Sequence, residues 1–535
     1  MQTRSKSGIH KPKQIFTLIS QANEHVTPTN YKQASKHDHW KEAMRTEFNA
    51  LINQNTWTLV PLPPNKRTLG CRWTYKIKLL PSGQIDRYKP RLVALGYDQQ
   101  FGETYTETFS PVAKMTTFRM LLKLAVNRQW NILQLDVTNV FLHGDLPDDI
   151  YMRQPQGFED LHHPNHVCKL NKSLYGLKQA PRLWFQKFTN FLLTRGFRFS
   201  RSDSSLLIYS KHNIQIFFLI YVDDILVTGN NQDSIRHLLR DLHTEFALKQ
   251  LGNISLFFGI QVTQTQNGYF LTQEHYANKI IHDAGFDQCK NSQTPLALAS
   301  SNRELNSPPF HDPSLYRRLA GSLQYLTITR PDITFATNQV CQRMHNPTDQ
   351  DFKSLKRILW YIKGTKHFGL PIQPGDYQLQ TYSNAYWASD TTDRKSITGH
   401  CTFMGPNLIS WSVEKQITVA KSSTEAEYHA LSAATSEAIW LCRLSAELQL
   451  PQASPTIIHC DNISAIAITK NSVFHARTKH IEIDYQFIRE HITDGNIHIQ
   501  HISSQEQVAD IFTKPFSCTR YNYLRSKLTI CTPDY

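Results

Sequence analysis

Ile214-Gln-Ile-Phe-Phe-Leu-Ile-Tyr-Val-Asp-Asp-Ile-Leu-Val-Thr228 sets two adjacent carboxylates, Asp223 and Asp224, between two apolar runs. Residues 216–222 are β-branched, aromatic or otherwise apolar, the composition of a buried strand, and 225–227 read as a second one. Two strands joined by an Asp-Asp tip form a hairpin that holds both acids at its end, where an ion can reach them. Neighbouring buried acids repel, and one takes up a proton unless a cation balances them. A bare Asp-Asp turn is most often only an acidic turn, because Asp suits turns. Upstream, however, Gln134-Leu-Asp-Val-Thr-Asn-Val-Phe-Leu-His-Gly-Asp145 is a second apolar strand with one acid, Asp136, inside it. A magnesium-type ion needs hard oxygen ligands from few side chains, leaving places for water and substrate phosphates. One carboxylate from this strand and one or two from the hairpin suffice.

Tyr221-Val222-Asp223-Asp224 resembles the YVDD box of reverse transcriptases. The run from Leu135 to Asp145 is similar to the first catalytic motif of copia-type LTR retrotransposon polymerases, and Ser173-Leu-Tyr-Gly-Leu-Lys-Gln-Ala-Pro-Arg-Leu-Trp184 resembles the motif that follows it there. The motifs stand in family order, and the likeness runs from about residue 56 to about residue 515. The resemblance implies an α+β multidomain chain. Its parts would be a basic disordered linker (1–30), a right-hand polymerase with fingers, palm and thumb (55–296), a connection region (297–374), a ribonuclease H-like α/β domain (376–515) and a C-terminal tail (516–535). A TRSKSGI-like stretch lies between integrase and polymerase in that family, so the chain is expected to begin partway through a polyprotein.

The length of 535 residues leaves room for several domains, and 40% hydrophobic residues is enough for real cores. A formal charge of +14 suits a polyanionic partner. The 9 cysteines are scattered with no CxxC pair, which fits reduced thiols better than a disulfide framework or a zinc site. His162, His163 and His166 flank Pro164 without a cysteine nearby and read as a solvated loop. No stretch reaches the roughly 20 apolar residues of a membrane span, and the amino terminus lacks the apolar core of a secretory signal.

Helical spacing of Trp40, Met44, Phe48 and Leu51 predicts an amphipathic helix over 35–51. Residues 57–93 alternate as strands, with Pro81-Ser-Gly as a hairpin turn. Read alone this is a solvated basic hairpin. By resemblance it is the fingers, with Lys89 and Arg91 facing the triphosphate of an incoming nucleotide through charge-assisted bonds. The family's KARLVAKGY reads Lys89-Pro-Arg-Leu-Val-Ala-Leu-Gly-Tyr97 here, so Leu95 replaces a charge. Phe109-Ser-Pro-Val112 matches another family segment and leads into a helix over 117–127. Phe141 is where the family places the ring that crowds the sugar 2′ position, although a core Phe is the competing reading. Gln179 is expected near the template base. Helix is expected over 234–246, a primer-grip strand pair over 251–262, and the start of a helical thumb over 269–284. The polar stretch 300–313 marks a boundary, and helices are expected through 316–369.

From about residue 378 the chain reads as three antiparallel strands, a long helix opened near Ser423, a strand ending at Asp461, and a further acid-bearing element at 505–514. This order resembles ribonuclease H, whose chemistry needs carboxylates from separate elements to hold two magnesium ions across a scissile phosphate. By motif the cluster is positions 384, 427, 461 and 510. Glu427, Asp461 and Asp510 are present, but the family's YSDADW reads Tyr382-Ser-Asn-Ala-Tyr-Trp387, which puts Asn384 and Tyr386 at acid positions. Asn is neutral and offers one carbonyl oxygen. Asp390, six residues on, is not expected to reach the vacated place. The nuclease is therefore expected to be folded but impaired.

The reading is an RNA-directed DNA polymerase. Asp136 and Asp223 would hold two Mg2+ ions, with Mn2+ as an alternative, and Asp224 would be a weaker partner. The implied partners are an RNA template, a DNA primer, the RNA–DNA hybrid and deoxynucleoside triphosphates, with no membrane. The implied location is intracellular, in a cytoplasmic virus-like particle or the nucleus. Arg477-Thr-Lys-His480 could track a hybrid or be a solvated turn. The alternative is a decayed retroelement fragment that binds nucleic acid without catalysis, for which Asn384, Tyr386 and Leu95 speak. The intact acids Asp136, Asp223 and Asp224 speak against it, since buried acids are costly without a cation.

Overall fold

The computed structural model describes residues 27–79, 84–298, 307–390, 392–470 and 482–533. Most of the basic leader, the Pro81-Ser-Gly turn and the run Arg477-Thr-Lys-His480 lie outside the described residues. The chain divides into two compact units, one of residues 1–109 and 141–187, the other of 110–140 and 188–535.

In the first unit, helix Asp38–Asn53 buries Trp40, Met44 and Leu51, the stripe that the spacing predicts. Trp40 meets the rings of Tyr75 and Tyr88 edge-on at 5.2 and 4.9 Å. Those tyrosines stand on the hairpin Cys71–Leu79 and Ile85–Ala94. Pro90 is tolerated there because a two-stranded ribbon keeps an open edge on each strand. Gly176 of the second family motif has φ +94°, and a Cβ on it would come within 2.1 Å of Ala94 O. A glycine is required there by backbone approach and conformation together. Residues 161–165, with His162 and His163, are exposed as expected.

The second unit carries two large sheets. The first has six strands in the order Leu248–Asn253, Ile132–Val137, Asp224–Gly229, Ile214–Tyr221, Leu206–Lys211, Arg198–Phe199. Helix Gln232–Phe246 buries Ile235, Leu238, Leu239, Leu242 and Phe246, and helix Met115–Arg128 is buried along most of its length. The expectation of helix from residue 269 is corrected. Gly268–Thr272 is a strand between Ile260–Thr265 and Leu370–Ile372, and helix begins only at Glu274. A short aromatic run such as Gly-Tyr-Phe-Leu-Thr fits either period, and pairing with two neighbours decides it. Helices Pro313–Leu326, Thr334–Cys341 and Asp349–Gly364 fill the expected helical region.

The second sheet has five strands, in the order Asn407–Lys415, Ile397–Met404, Leu379–Tyr386, Thr456–Cys460, Ile497–His501. The first two pairings are antiparallel and the last two parallel, a ribonuclease H-like arrangement. Helix Ser423–Glu447 starts on Ser422, whose hydroxyl accepts from Glu425 N at 3.2 Å, and its Ala426, Ala430, Ala434 and Ala438 are fully buried. Small residues every fourth position let the helix lie close to its neighbours. The C-terminal stretch is no loose tail. Helix Cys518–Lys527 buries Tyr521 and Leu524, and Tyr521 donates to Asp332 O at 2.9 Å.

The two sheets are tied within the unit. Arg119, buried on helix Met115–Arg128, donates to Ile409 O at 2.8 Å and Ile328 O at 2.6 Å and lies 4.0 Å over the Trp411 ring. Glu447 accepts from Ser200 Oγ at 2.7 Å, Arg201 N at 2.8 Å and Ser202 N at 3.1 Å.

Candidate active site

Two acidic centres lie in the second unit, one on each sheet. In the first, strands Ile214–Tyr221 and Asp224–Gly229 pair so that Tyr221 stands opposite Asp224. The tip is therefore Val222-Asp223, not the Asp-Asp pair expected. Val222 has φ +52° and Asp223 does not share the left-handed region, the φ pattern of a type II′ turn. A β-branched residue in that conformation is rare and costly, and such strain clusters at functional sites. The consequence is chemical. Asp224 sits on a strand directly across from Asp136 on Ile132–Val137, with Asp223 one residue away at the tip.

Burial pushes the Asp224 carboxyl up to about 6, with Asp223 and Asp136 adding to the rise and a hydrogen bond from Gln134 opposing it. No ion pair neutralises the three acids among the described residues. Converging hard oxygen donors with no protein cation fit a divalent ion of the magnesium class.

Gln134 escaped the sequence reading. It is 4% exposed, its Oε1 accepts from Ser255 N and Leu256 N at 3.4 Å, and its Nε2 donates to Leu256 O. It thus links the Asp224 carboxyl to the hairpin beginning at Leu256. The strand period of two, which places residues 134 and 136 on one face, was the available signal. At that hairpin's tip Phe258, φ +55°, packs its ring 4.2 Å from that of Tyr221, and Tyr325 Oη donates to Phe258 O.

The expected nucleotide contacts belong to the first unit. Lys89 and Arg91 are half-buried on one face of strand Ile85–Ala94. The Arg91 guanidinium lies 4.4 Å over the Tyr175 ring, which Phe141 meets edge-on at 4.9 Å. Gln179, expected near the template base, is held among loops. It is 2% exposed, accepts from Gln99 Nε2 at 2.9 Å and donates to Thr104 O at 2.9 Å and Asp148 Oδ2 at 3.0 Å. Its amide braces these loops.

The second centre gathers all four expected positions. Asn384, on strand Leu379–Tyr386, is buried and donates through Nδ2 to Asp510 Oδ1 at 2.8 Å and Thr513 Oγ1 at 2.6 Å. Lys514 Nζ reaches the same Asp510 oxygen at 2.8 Å. Asp510 lies in the 3₁₀ turn Val508–Phe512. Glu427 Oε1 accepts from Ala385 N at 3.0 Å, and Ser504 Oγ donates to Asp461 Oδ2 at 2.7 Å. Burial above all pushes the Glu427 carboxyl up to about 8, with Asp461 and Asp510 adding to it and the Ala385 N–H and Lys514 opposing. Asp390 stays outside, as expected, bound to Lys415 Nζ at 2.7 Å and Thr392 N at 2.8 Å.

A family model described as reverse transcriptase (RNA-dependent DNA polymerase) matches residues 54–298. The retrovirus-related Pol polyprotein from transposon RE1 of Arabidopsis thaliana is 43% identical over 532 residues, covering 99% of this chain and 36% of that protein. The corresponding polyprotein from transposon TNT 1-94 of Nicotiana tabacum is 38% identical over 517 residues, covering 94% of this chain and 39% of its own length. An uncharacterized mitochondrial protein of Arabidopsis thaliana, AtMg00810, is 46% identical over 226 residues, covering 42% of this chain and 94% of that protein.

Fold and motifs thus define a reverse transcriptase domain followed by a ribonuclease H-like domain. The chain belongs to the Pol polyproteins of plant copia-type retrotransposons. It spans about a third of the length of the curated Pol relatives it matches. No helix among the described residues is long and apolar enough to cross a membrane.

Proposed function

We propose that the chain copies RNA into DNA. The observation that carries this reading is the register that sets Asp224 opposite Asp136 with Asp223 at the adjoining tip. Asp136 and Asp223 would be the principal ligands of two Mg2+ ions, or Mn2+ in their place, with Asp224 a weaker ligand. When bound, such ions would acidify the primer 3′-hydroxyl and balance charge on departing pyrophosphate. Gln134 holds Asp224 in place from behind. Lys89 and Arg91 bind the triphosphate, and Phe141 excludes the ribose 2′-hydroxyl. RNA template, DNA primer and their hybrid are held chiefly through phosphates, so affinity falls steeply with salt. Residues 55–296 are the fingers, palm and thumb, 297–374 the connection, and 376–515 the nuclease-like domain.

The test is Mg2+-dependent extension of a DNA primer on an RNA template. Extension by the wild-type chain that Asp223→Asn abolishes supports the reading. Intact hybrid binding with no extension would instead establish a binder without catalysis.

The ribonuclease H-like centre does not fit two magnesium ions. An amide at position 384 gives an N–H to Asp510 where a carboxylate would give an oxygen to a cation, and Lys514 competes for the same Asp510 oxygen. We read this nuclease as impaired.

A further inference from the structure

The altered nuclease centre is divided in a way that its sequence motif does not announce. Asp510 is occupied by N–H donors, namely Asn384 and the Lys514 ammonium. The other half is only partly satisfied: Ser504 Oγ donates to Asp461 Oδ2 at 2.7 Å and Asn462 N to Cys460 Sγ at 3.4 Å, and acceptors remain. Cys460, the fully buried last residue of strand Thr456–Cys460, brings its thiol to Glu427 and Asp461, and one ligand atom from each of the three lies within 4.8 Å of the others. Glu427 Oε1 is fixed by Ala385 N, but its Oε2 is buried and has no hydrogen-bond partner. Asn384 Oδ1, on a side chain 1% exposed, is likewise buried without a partner. Burying such acceptors unpaired is costly, and a cation is the partner that would satisfy them.

Resting on the reading that Asn384 has ended two-magnesium occupancy, we infer that this centre binds a single thiophilic divalent cation of the zinc class through Glu427, Cys460 and Asp461. A thiolate beside two carboxylates is a softer donor set than magnesium prefers. Three protein ligands and one open position make a familiar tetrahedral shell for zinc. Bonds of about 2.0–2.3 Å in that shell put ligand atoms about 3.3–3.8 Å apart, so the present spread needs only a modest contraction. Binding forms a metal–sulfur bond and releases the thiol proton to solvent. Asp461 is half-exposed and gives the entry path.

The experiment titrates the full chain with Co2+, a coloured stand-in for Zn2+, and follows the sulfur-to-cobalt charge-transfer band. One Co2+ per chain is expected, displaced by Zn2+ and not by a large excess of Mg2+. The band should vanish in Cys460→Ser. Asp461→Asn, at a half-exposed position that leaves the core intact, should weaken binding roughly tenfold or more. A band that persists in Cys460→Ser belongs to another of the cysteines and overturns the inference, as does the absence of any band in the folded wild-type chain. Failure of the underlying reading looks different, because it appears as Mg2+-dependent cleavage of the RNA strand of a hybrid, whatever the cobalt spectrum does.

Discussion

The two acidic centres of this chain start from similar materials and end in different electrostatic states. On the six-stranded sheet, Asp136, Asp223 and Asp224 face one another with no ion pair among the described residues, and burial, with their mutual repulsion adding to it, raises the Asp224 carboxyl to about 6. On the five-stranded sheet one acid has become Asn384, and the protein has begun to satisfy the remainder with its own N–H groups. On the proposed reading the first centre leaves its charges for a cation to balance. In the nuclease-like centre hydrogen bonds and Lys514 settle the charge at Asp510, while Glu427 Oε2 and Asn384 Oδ1 stay buried without a partner. The difference teaches that a cluster of acids signals catalysis less by its count than by what neutralises it.

The largest effects should come from breaking the unresolved centre. Asp136→Asn and Asp223→Asn should each lower primer extension on the order of a thousandfold, since each removes several kcal/mol of transition-state charge stabilisation. Asp461→Asn should leave extension within about twofold, as expected for a site on a different sheet with no shared partners. Steady-state extension rates check both. A strong loss from Asp461→Asn would mean that the two centres are not separable and would end the comparison.

Next in size is repair of the resolved centre. Asn384→Asp replaces an amide donor with a carboxylate and turns the bond to Asp510 into a repulsion that only cations relieve. Cleavage of the RNA strand of a hybrid should rise on the order of a hundredfold in Mg2+. Wild-type cleavage that Asn384→Asp does not improve would show that the present centre is already competent.

A third change asks why a resolved centre keeps its fold. Arg119 packs the polymerase sheet's helix against the nuclease-like sheet, and burial alone pulls its guanidinium down to about 9. Arg119→Met would leave Ile409 O and Ile328 O without a donor and should cost about 2 kcal/mol, the range for unpaired buried acceptors. In denaturant the unit that holds both sheets should unfold in one step, earlier than in the wild type, because the sheets belong to one compact unit. Hydrogen exchange that shows the nuclease-like sheet opening at lower denaturant than the six-stranded sheet would show that the two are separable.

Much of this was legible in the chain. The apolar run before Asp223, the helical stripe through Trp40, Met44 and Leu51, and the missing acid at 384 all rest on local pattern, and local pattern survived folding. What was not legible depended on pairing. The tip moved by one residue because Val222 takes a positive φ that its side chain disfavours. Gly268–Thr272 became a strand because two neighbours were free to pair with it. The bonds of Gln179 to Gln99, Thr104 and Asp148, partners up to 80 residues away, had no local signal. Cys460 gave no signal at all, since a buried thiol at a strand end is ordinary.

The most selective effect is a pH dependence. In the metal-free chain Glu427 keeps its proton up to about pH 8, whereas its ordinary value is 4.5. Between those limits the folded state holds a proton that the unfolded state has lost, so stability falls as pH rises through the window and levels off above it. Glu427→Gln cannot titrate. Measured in chelator by denaturant unfolding, it should lie closest to the wild type near pH 5, where the wild-type carboxyl is mostly neutral as the Gln amide is, and its stability relative to wild type should climb steadily from pH 5 to pH 8. A divalent cation that takes the Glu427 carboxylate would flatten the wild-type slope, because the ion rather than a proton then balances the charge. Parallel wild-type and variant curves across that range would mean that Glu427 is ionised throughout, and that the second centre is as unresolved as the first.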